Sequence, residues 1–361
     1  MMKSFFYGLK LFFVIAGAVM GAGYLSGGEL VCFFRNGDYF PLVISGAVFF
    51  TGFTFLPRDK NDRFYRAATL ITDGVFTVAA LSGIDAVFGL SGIGNGLPIA
   101  SVISLAVFHL FLSDGITAIE RLNLIVMPLS IAVVFTVAIL GLRGGNAVQL
   151  TAFPLIDAFK SGINAVLYAS INVFATSGTV GIASEKLSVK ERTVGYAVFS
   201  VFFVVFSTLI LKVSGDAEVP VAVAVKGGVL FVALITALTL GSFTSLACFL
   251  FPLKKETESF LDKRKVKTPV KKVITVLTYV ILFAVSRIEF YRIVKYLYPV
   301  IGGFGLFFAF RETVRALKSK GIKRAVIDDN SNRKKTERRK ICLKRRKSKS
   351  KNLRTKSTVI I

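Results

Sequence analysis

Residues 17–29 read GAVMGAGYLSGGE, five glycines and a glutamate inside a long apolar run. A helix that only crosses a bilayer is built from Leu, Ile and Val, so both features need a reason. One reason is packing: Gly17-x-x-x-Gly21 and Gly23-x-x-x-Gly27 are small-xxx-small patterns that let two helices approach closely. The other is an interrupted helix. Gly21, Gly23, Gly27 and Gly28 fall on several faces of a 3.6-residue helix, more than one packing stripe uses. Packing also has no use for Glu29, because a carboxylate in hydrocarbon is expensive unless paired or coordinated. An unwound turn accounts for both, freeing carbonyl oxygens for a cation and N–H groups for an anionic group. On that reading Gly21, Ala22, Gly23, Ser26 and Gly27 line a substrate site, and Glu29 takes a gating or coupling role.

The surrounding chain is a membrane protein by composition. Of its 361 residues 53% are hydrophobic and only 19% charged, and mean hydropathy is +0.66. Windows of about twenty residues give ten candidate spans, near 9–34, 39–57, 67–89, 97–113, 122–142, 158–184, 193–213, 227–253, 270–286 and 293–310. The expected fold class is therefore all-α and polytopic. Lys3 and Lys10 precede the first run as in a signal peptide, but the run continues to Phe34, too long for a cleavable segment. The stretch 218–226 is too short to cross and reads as a re-entrant or surface piece. With the N-terminus inside, 18 Lys and Arg fall on the inner side before the tail, against eight outside. The positive-inside rule thus puts both termini in the cytoplasm.

Ten spans divide as five plus five, and inverted-repeat transporters place their site where matching helices break. The counterpart of span one is span six, where Tyr168-x-x-x-Asn172 and the run around Ser177 put polar groups and glycines where a plain span carries Leu. Tyr168, Asn172 and Ser177 join the candidate substrate set, with Asp73 of span three. Asp73 and Asp85 lie twelve residues apart, about 18 Å along a helix, too far to act as an acid–base pair. In span eight Thr244 and Ser245 are adjacent hydroxyls; with carbonyls from a broken helix they suit a hard cation such as sodium, and no transition metal is expected. His109 is the single histidine and reads as packing. The 35 phenylalanines read as lipid-facing bulk, and Cys32, Cys248 and Cys342 have no paired spacing.

Between Lys318 and Lys356 there are 18 Lys and Arg against three acids. This stretch reads as a disordered tail that clings to anionic lipid. Nucleic acid ranks well below lipid, since the tail lacks interleaved aromatics for stacking.

In GAVMGAGYLSGGE, Tyr168-x-x-x-Asn172, Thr244-Ser245 and Tyr298-Pro-Val-Ile-Gly-Gly303 the chain resembles the YkvI-type bacterial membrane proteins. These look like distant members of the amino acid–polyamine–organocation superfamily, with the LeuT-type fold. The resemblance covers roughly residues 8–312, and Gly28 stands where the family usually has Gln. It implies a five-plus-five inverted repeat with broken helices one and six. It also implies a cation held by the carbonyls of Gly17, Met20 and Gly241 and the hydroxyls of Thr244 and Ser245. The domains that follow are a transporter domain over 1–312 (repeat one about 8–143, repeat two about 155–312) and the tail over 313–361. The expected location is a bacterial cytoplasmic membrane.

The functional expectation is a secondary active transporter of a small solute, an amino acid or related amine or organic ion, coupled to sodium or protons. It is not expected to be an enzyme, since its ionisable residues are dispersed, and it shows no ATP-binding loop. The competing reading is a non-transporting sensor or assembly factor acting through the basic tail.

Overall fold

Every regular element among the described residues is helical. The computed structural model describes residues 2–34, 39–55, 62–92, 98–111, 115–143, 155–213, 220–225, 227–288, 290–312 and 314–315. The first predicted span becomes three pieces: α1 (Met2–Val19), α2 (Ala22–Leu25) and α3 (Gly28–Phe34). There follow α4 (Tyr39–Thr54), α5 (Arg63–Gly89), α6 (Ile99–Phe111), α7 (Ile116–Arg143), α8 (Leu155–Ala175), α9 (Ser177–Ser184) and α10 (Val189–Val213). The short α11 (Pro220–Val223) precedes α12 (Gly228–Lys263) and α13 (Thr268–Val285). Last, α14 (Phe290–Arg292) opens into one wide π-turn, Ile293–Leu297, and the helix runs on to Glu312.

All ten predicted spans coincide with a helix or a broken helix. Six helices are long and apolar enough to cross a membrane, or seven when the bent pair α8–α9 counts as one span; Tyr39–Thr54 and Ile99–Leu110 are shorter apolar helices. The protein is a polytopic helical membrane protein. Its outward faces agree: Ile125 and Leu129 on α7, and Val201 and Val205 on α10, stand exposed at four-residue spacing, forming stripes that only lipid suits.

Hydropathy places the interior of each span well and its ends less well. Helix α5 starts at Arg63 because the Asp62 carboxylate caps it, accepting from the N–H groups of Phe64 (2.9 Å) and Tyr65 (3.3 Å). Helix α12 continues to Lys263, ten residues past the predicted end. Its 36 residues span about 54 Å against a hydrocarbon core of ~30 Å. The extension is good helix former with a Lys254–Glu258 pair at i,i+4, so the helix outlasts the apolar run.

The expectation for phenylalanine needs correction. Phe49, Phe53, Phe108, Phe199, Phe203, Phe206 and Phe308 are fully buried. Phe49, Phe53, Phe199 and Phe203 join Tyr24, Tyr168 and Tyr196 in a continuous aromatic core. Composition alone hides this, because a ring facing lipid and a ring facing another helix look the same in sequence.

Contacts between helices repeat across the two halves. Let spans one to ten be α1–α3, α4, α5, α6, α7, α8–α9, α10, α12, α13 and the last helix. Span one packs on seven and six on two; one packs on eight and six on three; three packs on four and eight on nine. Pairs two–seven, three–eight and four–nine are their own counterparts, whereas among the described residues five packs on seven and three on nine with no comparably close ten–two or eight–four pair. The correspondence between the halves is therefore partial. Both expected breaks are present, and α8 meets α9 at 59°.

Contacts divide the chain into Met1–Ala309 and Phe310–Ile361. The tail reading falls on 313–361, which lies outside the described residues except for Val314 and Arg315.

Candidate functional site

The break in span one follows from its glycines. Helical bonding stops after Val19, resumes for one turn at Ala22–Leu25, and stops again at Gly27, whose φ of 88° favours glycine. Ser26 stitches the second gap: its hydroxyl donates to the Gly23 carbonyl at 3.1 Å and accepts from the Gly28 N–H at 3.3 Å. The stretch 218–226, read as re-entrant or surface, contributes α11 to the same place. There the Val221 N–H donates to the Ser26 carbonyl at 2.9 Å, and Val221 is fully buried.

Beyond the second gap, Glu29 is 6% exposed. The Tyr168 hydroxyl of span six donates to its Oε2 at 3.4 Å, and the Tyr298 hydroxyl of span ten to its Oε1 at 3.3 Å. Tyr298 follows the π-turn directly, and such wide turns redirect the side chains beside them. Both contacts are long for hydroxyl–carboxylate hydrogen bonds, which favour 2.5–3.0 Å. Among the described residues no Lys or Arg pairs with Glu29. The carboxylate therefore keeps most of its capacity to accept from a cation.

Glu29 borders a cavity of about 20 Å³, walled by Gly21, Gly23, Ser245 and the rings of Phe76, Phe249, Phe290 and Tyr298. That volume holds about one water. The rings are mutually packed: Phe76 lies 4.8 Å from Phe249 and stacks on Tyr298 at 4.7 Å between centroids. A Cβ on Gly23 would collide with Glu29 and Phe290, and one on Gly21 would come within 2.8 Å of the Ser245 hydroxyl. The opening motif thus serves both readings, since its glycines give close approach and the approach builds the cavity wall.

Toward the N-terminal half of span one, the expected cation ligands of spans one and eight lie near one another. Ser245 Oγ donates to the Gly17 carbonyl at 2.7 Å, with Thr244 Oγ1 3.3 Å from the same oxygen. Thr244 Oγ1 also donates to the Gly241 carbonyl at 2.7 Å, and the Met20 carbonyl lies 3.5 Å from where a Gly241 Cβ would stand. Four oxygens from spans one and eight, of Gly17, Gly241, Thr244 and Ser245, are thus linked in a buried spot with the Met20 carbonyl on the same side of span eight, and oxygen donors of this kind suit a hard monovalent cation. Beside it, Asn123 of span five fills the space a Gly17 Cβ would take; its Nδ2 donates to Cys248 Sγ at 3.6 Å, and its buried Oδ1 has no partner.

The rest of the substrate set is dispersed. Asn172 uses its amide within its own helix, donating to the Tyr168 carbonyl at 3.0 Å. Ser177 accepts from the Tyr65 hydroxyl at 3.1 Å. Asp73 is buried near Gly178 and the break in span six, outside the cavity wall. Ala22 belongs to α2, and its side chain lies outside the described residues. Asp85 joins α5 to α6 and to the end of span nine, accepting from the Ser101 N–H at 3.0 Å and pairing with Arg287 at 2.6 Å. His109 meets the edge of Tyr279. Phe76, Phe249 and Phe290 escaped the sequence reading, and Tyr298 entered it only as part of the family motif. No sequence signal separates these rings from lipid-facing ones; Tyr298-Pro with its following glycines was the sole pointer.

Fold and site together define a polytopic membrane protein with an acidic cavity between the broken first span and spans three, eight and ten. No family model matches the chain. It is similar to the uncharacterized membrane protein YkvI of Bacillus subtilis (strain 168), 26% identical over 335 residues, covering 83% of this chain and 93% of that one. The likeness supports a YkvI-type membrane protein.

Proposed function

We propose that the protein is a secondary transporter working by alternating access in a bacterial cytoplasmic membrane, both termini inside, and that it carries a small solute through an ammonium group. The observation that supports this most is Glu29. A buried, loosely bonded carboxylate sits between the break in span one and hydroxyls from spans six and ten, against four aromatic rings. Such a setting favours a positively charged group, through ion pairing and through the ring faces. Amino acids and simple amines both fit, and neither an enzymatic step nor ATP enters this reading.

Sodium is the favoured coupling ion. When bound, it would be held by the carbonyls of Gly17, Met20 and Gly241 and the hydroxyls of Thr244 and Ser245. Those hydroxyls turn from their present acceptors toward the ion and tie span eight to the first half of span one. Purified protein in proteoliposomes should take up labelled amines or amino acids down an imposed sodium gradient. Replacing Thr244 and Ser245 together by Ala should reduce the sodium-driven component at least about tenfold, the equivalent of ~1.4 kcal/mol. Uptake whose sodium dependence survives that change would remove sodium from the scheme.

A further inference from the structure

At the end of α5 and α12 opposite the Glu29 site, a second cavity of about 450 Å³ opens between the two helices. Arg63, Arg66 and Lys263 supply its charge, and Ala67, Leu70 and Phe260 its apolar wall. Glu256 lines the same cavity, so three cations face one carboxylate. Among the described residues none of the three cations forms an ion pair. Arg66 is the telling case: its Nε is buried and has no hydrogen-bond partner among the described residues. An unsatisfied buried donor on a cation is costly, and it calls for an acceptor that the described residues do not supply.

We propose that this cavity binds the phosphate headgroup of an anionic membrane phospholipid. Guanidinium groups match phosphate oxygens with paired, planar N–H donors. The cavity lies where α12 leaves the apolar zone, at the depth of headgroups on the strongly basic face. Phe260 is 55% exposed there, and with Leu70 and Ala67 it offers an apolar surface to the upper part of an acyl chain. A free phosphate would use the arginines and leave that wall idle. The occupant also bridges spans three and eight, the pair that walls the Glu29 cavity through Phe76 and Phe249.

The test compares melting temperatures of the full-length protein in neutral detergent with added phosphatidylglycerol, phosphatidylcholine or glycerol 3-phosphate. Phosphatidylglycerol should stabilise by mass action. Replacing Arg63 and Arg66 together by Gln should raise the half-saturating lipid concentration at least about tenfold, while Arg66→Lys, which keeps charge without the planar fork, should give a smaller loss. The basic tail is intact in every variant, so the difference reports the cavity. Replacing Lys267 and Lys272 by Gln removes the same charge from the same face outside the cavity and should leave the lipid response unchanged. An equal loss in that control, or an equal response to phosphatidylcholine, would overturn the proposal. An equal response to glycerol 3-phosphate would overturn the lipid and leave a soluble phosphate ligand. If the Arg63/Arg66 double variant does not fold, an Arg66→Lys response equal to that of the unaltered protein overturns the proposal.

Discussion

Glu29 stands out in the sequence, where it takes a gating or coupling role, for a simple reason: a carboxylate in an apolar run has few uses, and each involves a partner. Its partners were not legible. Tyr298, Phe76 and Phe249 belong to spans where aromatic residues are common, and only the fold decides which of them face inward. Asn172 and Ser177 show the converse: their polar groups are already engaged within the protein. Polar groups in a span look like binding groups, yet an amide or hydroxyl there often satisfies itself on a nearby helix, as Asn172 does on the Tyr168 carbonyl. The cavity yields a direct expectation. Glu29→Gln keeps the shape, with one tyrosine hydroxyl still donating to the amide oxygen and the other turning to accept from the amide NH2, but removes the charge, so affinity for an amine-bearing ligand should fall about a hundredfold, ~2.7 kcal/mol. Tyr298→Phe should cost a few-fold, as one long hydrogen bond is lost. Isothermal titration on both variants checks the order. A ligand held equally well by Glu29→Gln would place recognition elsewhere.

The predicted segments were read correctly as helices, six or seven of them long and apolar enough to cross, because hydrophobic length is set by the bilayer, and their breaks were found because glycine runs and polar runs interrupt that length. Ends were less legible: α12 outlasts its apolar run by ten residues since helix propensity, not hydropathy, sets where a helix stops. Glycine also carries two meanings that only packing separates. A Cβ at Gly305 would lie 2.5 Å from the Ser170 carbonyl, backbone that cannot turn aside, whereas at Gly303 nothing lies within 4 Å. Gly305→Ala should therefore destabilise the contact between spans six and ten by ~1–3 kcal/mol, and Gly303→Ala should be neutral or slightly stabilising. Thermal melts of the two variants in one detergent decide it. Equal melting temperatures would show that the two spans are not packed this closely.

For the whole molecule, the partial repetition of contacts between the halves is what composition could not display, because a repeat of packing leaves little trace in residue identity. The two breaks at matching places were its one visible sign. The reading as a transporter places function in the helical body, so removing residues 318–361 should leave solute uptake within about twofold; a sensor acting through the tail would lose its output. The small volume beside Glu29 has a further consequence, for time and not for affinity. A site with room for one water cannot admit an amine-bearing solute as it stands, so occupancy must wait for the walls to part. The observed binding rate should then level off as ligand concentration rises, at a ceiling set by how often the protein opens. A stopped-flow series that stayed linear to saturating concentrations would mean the doorway is already open.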